Sequence, residues 1–318
     1  MEFNKIRELS NAIKENVEKV IVGKSDIIDL ILTSLLANGH ILLEDVPGTG
    51  KTVLAKSLAK SIDADFKRIQ FTPDLLPSDV TGLNYYNQKQ GEFTFHRGPA
   101  FTNILLADEI NRATPRTQSS LLECMEEMQI TIDGETRLLE RPFLVIATQN
   151  PIETAGTFPL PEAQLDRFLM QISMGFPTFR EEITILNRFM DASPLEDLQP
   201  VCAKADLLAM QKAIKSVYIH PSLMEYMVTI INKTREHKSI VLGVSPRGSL
   251  AFLRAVQAYA AIQGLQYVTP EMIKHIAPYV IIHRLILRSN FNKTATSLEL
   301  TNSILSDTPV PTEDFTRR

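Results

Sequence analysis

One segment constrains this chain more than any other. His40-Ile41-Leu42-Leu43-Glu44 reads as a short buried strand, and it runs straight into Asp45-Val46-Pro47-Gly48-Thr49-Gly50-Lys51-Thr52 and then into a helical stretch ending near Ser61. Strand, glycine loop and helix in that order are the context a phosphate cradle requires. Gly48 and Gly50 let backbone N–H groups approach an anion, and the helix N-terminus adds a favourable dipole. Lys51 can reach β and γ oxygens, and the Thr52 hydroxyl can coordinate Mg2+. Pro47, Gly48, Thr49, Gly50, Lys51 and Thr52 are therefore the expected triphosphate-binding residues. The first glycine of the common G-x-x-x-x-G-K-[ST] form is replaced by Asp45.

Two later strand ends supply the polar groups such a site needs. Ile104-Leu105-Leu106-Ala107 is an apolar run closed by Asp108-Glu109, in position to manage Mg2+ and an attacking water at the carboxyl edge of a sheet. Asp108 is expected in the metal shell with Thr52, and Glu109 as the group that polarises water. Phe143 to Ala147 is a further strand, followed by Thr148-Gln149-Asn150-Pro151; Asn150 could orient the water and contact the γ-phosphate, or could simply be a turn residue before proline.

Around these motifs, brief apolar runs at Ile41 to Leu43, Phe66 to Ile69, Ile104 to Ala107, Phe143 to Ala147 and Phe168 to Ile172 alternate with helical patterns. The alternation predicts an α/β fold with a parallel sheet covered by helices on both faces. Two helices precede the first strand, over residues 3 to 20 and from Ser25, read as an N-cap, to Asn38-Gly39. After Phe176-Pro177 the strand-like runs largely stop, and the pattern is helical to about residue 287. The expected division is 1–177 for the nucleotide-binding core, 178–288 for a helical domain and 289–318 for a C-terminal tail. The tail is rich in Asn, Thr and Ser, and only Leu298 to Leu305 is apolar, so it is expected to be weakly packed or stabilised by a partner. Residues 83 to 97, around Lys89-Gln90-Gly91, and 129 to 139, around Asp133-Gly134, read as two hairpins inserted in the core. Tyr85, Tyr86, Phe93 and Phe95 of the first could grip a client or pack on the core.

Together these motifs, Leu43-Glu44-Asp45-Val46-Pro47-Gly48-x-Gly50-Lys51-Thr52, Phe71-Thr72-Pro73-Asp74-Leu75-Leu76-Pro77, Arg97-Gly98-Pro99, Asp108-Glu109-Ile110-Asn111-Arg112 and Thr148-Gln149-Asn150-Pro151, resemble the MoxR family of AAA+ ATPases. The resemblance covers nearly the whole chain and makes Asp45 a habit of the family. It implies an AAA+ αβα core with a five-stranded parallel sheet, followed by a smaller all-helical lid. It also implies ATP and Mg2+ as cofactors, a homo-oligomeric ring, hexameric by resemblance, and a chaperone role in maturing or remodelling other proteins, with a von Willebrand A-domain protein as a possible client. In the same terms, Gly48 to Thr52 correspond to Walker A, Asp108-Glu109 to Walker B and Asn150 to sensor 1. Leu160-Pro161-Glu162-Ala163-Gln164-Leu165-Asp166-Arg167-Phe168 resembles the segment carrying the arginine finger, which makes Arg167 a group donated to a neighbouring subunit. The competing reading is a local ion pair with Asp166 or Glu162. Arg247, in Ser245-Pro246-Arg247-Gly248, resembles the sensor 2 arginine that carries lid position to the nucleotide; a cation in the first helical turn opposes the dipole, and the alternative is a solvated side chain.

Composition removes other classes. Lys plus Arg is 33 against 37 Asp plus Glu, a formal charge of −4 that argues against a generically basic nucleic-acid binder. Two cysteines, Cys124 and Cys202, exclude a disulfide scaffold, and the six histidines have no metal-ligand spacing. Apolar runs are broken by Asp29, Asn38, His283 or Arg284, so no membrane span and a cytoplasmic location are expected. Two alternatives remain: a nucleic-acid motor of the helicase type, and a nucleotide-dependent switch with little turnover.

Overall fold

The structure, a computed structural model, describes residues 1–151, 156–190, 193–288, 293–312 and 315. Helices α1 (Phe3–Glu18) and α2 (Ser25–Leu36) precede strand β1 (Ile41–Glu44), helix α3 (Lys51–Ser61), β2 (Phe66–Gln70) and the short α4 (Pro77–Thr81). A hairpin of β3 (Gly82–Asn87) and β4 (Glu92–Arg97) leads to β5 (Ile104–Asp108) and α5 (Pro115–Glu127). A second hairpin, β6 (Gln129–Ile132) with β7 (Glu135–Leu138), leads to β8 (Leu144–Gln149), α6 (Glu162–Leu165) and β9 (Met170–Ile172). The remainder contains α7 (Phe179–Arg188), α8 (Lys204–Ala213), α9 (Pro221–Glu236), β10 (Ile240–Leu242), α10 (Pro246–Ile262), α11 (Pro270–Ile281), β11 (Ile286–Leu287) and α12 (Lys293–Ser306).

Five strands form one parallel sheet in the order β2-β5-β8-β1-β9. Both faces are covered, which is why its inner strands are apolar without alternation: Ile104, Leu105, Leu106 and Ala107 are all fully buried, whereas the edge strand β2 is largely exposed. Ile104 and Leu106 point to the layer with α1, α2 and α3, whereas Leu105 and Ala107 point to the layer with α5. The first of these cores runs on into Phe252, Val256, Ile273 and Ile276 of the helical part, and α10 packs against both α1 and α2. Packing is thus continuous across the boundary drawn at 177/178.

His40 fastens three elements at the start of β1. It is 4% exposed; its Nδ1 accepts the Val145 amide at 3.0 Å and its Nε2 lies 2.9 Å from the Met125 carbonyl. One nitrogen accepting and the other donating fix a neutral ring, and burial pushes its pKa down to about 4.

Three expectations are corrected. Ser25 is the first residue of α2, not its cap; Lys24 occupies that position and makes no side-chain cap. The lid is not all-helical, because β10 and β11 pair as an antiparallel ribbon. The tail is not weakly packed where it is described: α12 rests on α9 and α11, with Ile304 and Leu305 buried. Residues 289–292, 313, 314 and 316–318 of that tail lie outside the described residues. Both inserted hairpins have the expected strands, and Asp133 and Gly134 close the second with φ of 51° and 83°, both left-handed.

Candidate functional site

The glycine loop leaves the carboxyl end of β1 and enters α3. Gly48 and Gly50 have φ of 87° and 88°, a region glycine adopts freely, and a Cβ on either would meet nothing within 4 Å, so the requirement is conformational. Helix α3 starts at Lys51 with no acidic residue in its first turn, leaving its N-terminal N–H groups without a competing carboxylate. Lys51 Nζ donates to the Asp45 and Val46 carbonyls at 3.2 and 3.3 Å, folding back over its own loop.

The structure gives Asp45 a physical role. It is 5% exposed, and its carboxylate accepts from the Met174 amide, from the Gly175 amide at 3.2 Å and from the Ser173 hydroxyl at 3.4 Å. The first residue of the loop is therefore tied to the segment leaving β9. Asp45→Gly restores the common loop form but strands two inward N–H groups, each worth about 1–3 kcal/mol when unsatisfied. Chemical denaturation should register a loss of about 2–4 kcal/mol; unchanged stability would remove this role.

Parallel pairing then brings the acids beside the loop. Thr148 Oγ1 donates to Asp108 Oδ1 at 2.6 Å and accepts the Glu109 amide at 2.8 Å, bridging β8 to the end of β5. Glu109 has φ 55°, a left-handed conformation costing a non-glycine residue about 1–2 kcal/mol, and Thr148 helps to hold it. Arg68 pairs with Asp108 Oδ2 at 2.6 Å. Gln70 Nε2 donates to Glu109 Oε2 at 2.8 Å, and Arg112 Nε meets the same oxygen at 2.9 Å, so neither of these two partners occupies Oε1. A cavity of about 390 Å³ is lined by Gly48, Lys51, Thr52, Asp108, Glu109 and Asn150, which gathers most of the expected residues at one place.

Arg68, Gln70 and Thr148 line that cavity too and were not foreseen. Their signal was faint: Arg68 and Gln70 are polar residues two apart on an otherwise ordinary strand, on the same face by the period of two. Also unforeseen is an apolar slot of about 190 Å³ next to the loop. It shares Gly48 and Gly50 with the first cavity and is walled by Val22, Met174, Ile185 and Phe189. An apolar slot adjoining a phosphate cradle suits a nucleotide base.

Thr52 and Asp108 are the donors available for a divalent cation. Among the described residues no group of three or more His, Cys, Asp or Glu could hold a metal. A hydroxyl and one carboxylate are a donor set that suits Mg2+, which keeps several waters and binds through one or two carboxylates plus the substrate's phosphates.

Arg167 and Arg247 are not in this cavity. Arg167 precedes β9 and so lies at the amino edge of the sheet, whereas the glycine loop follows the carboxyl edge. The four residues of β1 alone separate those edges by roughly 13 Å at about 3.3 Å per residue. Neither Asp166 nor Glu162 is its partner: Arg167 Nε meets Glu126 Oε2 at 3.0 Å, and Arg247 Nη2 meets Oε1 of the same carboxylate at 2.9 Å. Sequence reasoning missed Glu126, at the end of α5. Beside it, Asp166 accepts from Ser245, the N-cap of α10, at 2.8 Å and from the buried Arg284 Nε at 2.7 Å. Arg284 also donates to the Phe168 and Leu169 carbonyls at 2.6 and 3.2 Å, riveting the lid to the loop before β9. Burial disfavours its charge and Asp166 restores it.

A parallel sheet with a glycine loop after β1, an acid pair after β5 and a polar residue after β8, followed by a lid, defines an AAA+ ATPase. Residues 40–170 match the model of the ATPase family associated with various cellular activities, and 232–305 match the AAA lid domain. The chain is 52% identical to the uncharacterized protein YeaC of Bacillus subtilis over 94% of each chain. It is 41% identical to the chaperone MoxR1 of Mycobacterium tuberculosis, over 89% of this chain and 76% of that one. A solved crystal structure of a proposed ATPase from Cytophaga hutchinsonii superposes with a TM-score of 0.90 at 39% identity, covering 98% of this chain and 97% of the other. The chain belongs to the MoxR family of AAA+ ATPases.

Proposed function

We propose that the chain is an Mg-ATP-dependent ATPase that works in an oligomeric ring and matures or remodels other proteins. The observation that carries this reading is the opposition of its parts: the loop, Asp108, Glu109 and Asn150 surround one cavity, while Arg167 sits at the far edge of the same sheet. An arginine so distant from its own loop suits a neighbour's nucleotide, which makes turnover depend on assembly. A hexamer is the ring size the family resemblance favours.

Within one site, Lys51 and the loop amides bind the triphosphate, and the apolar slot receives the base. Thr52 and Asp108 would hold Mg2+, which when bound neutralises charge on the β and γ oxygens. Glu109 takes the water's proton through Oε1, and Asn150 orients the water. Arg68 pairs with Asp108 and lines the phosphate cavity, where it can also meet the γ-phosphate.

A protein client is favoured over nucleic acid by the hairpins. Arg97 lies 5.6 Å from the Phe101 ring and Arg137 4.2 Å from the Phe95 ring, so both cations cover aromatic faces. The first hairpin presents Tyr86 and Phe93, 54% and 73% exposed and in edge contact at 5.5 Å. Phe95, by contrast, packs inward on Phe101. The relative named MoxR1 is a chaperone, and a von Willebrand A-domain protein is the client class the resemblance supplies.

Glu109→Gln tests the reading. It should bind ATP as the parent does and lose turnover by about 10²–10⁴, and the ATP-locked variant should retain its client on co-purification. Normal phosphate release from this variant would remove Glu109 from the mechanism.

A further inference from the structure

Arg167 and Arg247 come from different parts of the chain, one from the loop before β9 and the other from the first turn of α10, yet they meet. Two guanidiniums repel, and each is long enough to swing into solvent. What brings them together is one carboxylate. Glu126 Oε2 takes Arg167 at 3.0 Å and Oε1 takes Arg247 at 2.9 Å, and all three side chains keep part of their surface open. The shortest Glu126 contact to Arg167 is through Nε, at the inner side of the guanidinium.

The surroundings keep the cluster positive. Together the three side chains line a cavity of about 260 Å³ that also includes Asp166, Arg254 and Arg284. That is four arginines against two carboxylates among the described residues lining it, and His40 on the same wall stays neutral. The Asp166 contacts to Ser245 and Arg284 tie the start of α10, which carries Arg247, to the loop that carries Arg167.

We infer that Glu126 is a positioning residue for the reaction of the neighbouring subunit: it joins Arg167 and Arg247 into a two-arginine clip that receives that subunit's γ-phosphate. The inference rests on the trans reading of Arg167 and extends it to Arg247, which then acts on the neighbour's nucleotide instead of its own. Glu126 holds the two guanidiniums together, and its removal lets them splay, a misplacement of the kind that costs about a hundredfold in rate.

Assembled full-length Glu126→Ala and Glu126→Gln should lose about ten- to a hundredfold in kcat with KM and ATP affinity nearly unchanged. Glu126→Asp, with a carboxylate one carbon shorter, should recover part of the loss. In an Arg247→Ala background, where there is no clip left to hold, Glu126→Gln should lower kcat by less than it does alone, an epistasis that a purely structural role would not produce. Retained ATP affinity reports folding, and the isosteric Gln variant keeps the test open if Ala unfolds. Unchanged kcat in Glu126→Gln beside an inactive Arg167→Ala would overturn the clip and leave the trans finger standing. A raised kcat would make Glu126 an inhibitory latch and also overturn it. Normal turnover by Arg167→Ala would bring down the trans reading and the clip together.

Discussion

Lys51→Ala should lose ATP binding. In the free subunit the Lys51 ammonium rests on the Asp45 and Val46 carbonyls, 3.2 and 3.3 Å away, from which it can turn toward phosphate. The two charge-assisted contacts it would make to the β and γ oxygens are each worth about 1.5–3 kcal/mol. Removing both weakens binding by about 10²–10⁴, enough to take it out of the working range. Arg68, which lines the same cavity, pairs with Asp108 at 2.6 Å and cannot replace a lysine that reaches both the β and γ oxygens from within the loop. Calorimetric titration with Mg-ATP reads the effect directly, and affinity equal to the parent's would contradict the assignment of the loop. The fold should survive, since the lost contacts are two partly exposed hydrogen bonds within one loop.

The parts of this site that a single sequence made legible are those in which chemistry and local structure coincide. Gly48, Gly50 and Lys51 sit between a strand and a helix, and Asp108-Glu109 closes an apolar run, so residue type and position reinforce each other. Arg68 and Gln70 carry no such mark. They reach the acids only because β2 pairs with β5 in a register that sets Gln70 opposite Asp108, a fact of sheet order that no local pattern encodes. The base slot fails for the same reason, since Val22 and Phe189 are distant in sequence and meet over the loop only through the fold. Glu126 looked like one acid among several in Glu123-Cys124-Met125-Glu126-Glu127.

The tail was misread for a different reason. Its buried face includes Ser297, Thr301 and Thr308, residues whose abundance argued against packing. Thr301 donates to the Ser297 carbonyl at 2.7 Å within α12, and Thr308, just past its end, to the Ile304 carbonyl at 2.6 Å, so these two hydroxyls are satisfied locally and their side chains pack as small apolar ones, whereas the buried Ser297 hydroxyl has no such partner. Composition counts the two threonines as polar, but a carbonyl one turn earlier takes up that polarity.

Arg167→Ala should carry the other large effect. Arginines donated across an interface contribute about 10³–10⁵ to rate in related phosphoryl transfers. The variant should bind ATP almost as the parent does, because Arg167 does not line the phosphate cavity, and should be nearly inactive even when assembled. A cis contribution would require the side chain to cross from the amino edge of the sheet to the carboxyl edge.

Mixing two inactive variants tests the central claim, that one subunit's pocket is completed by another's arginine. Lys51→Ala protein has an intact Arg167 and a dead pocket; Arg167→Ala protein has an intact pocket and no finger. Co-assembled, with native mass spectrometry to verify mixed rings, an intact pocket from the second variant faces an intact arginine from the first, and phosphate release should rise well above that of either parent. Mixed rings that stay at the level of the parents would contradict the claim and return Arg167 to an ion pair with Glu126.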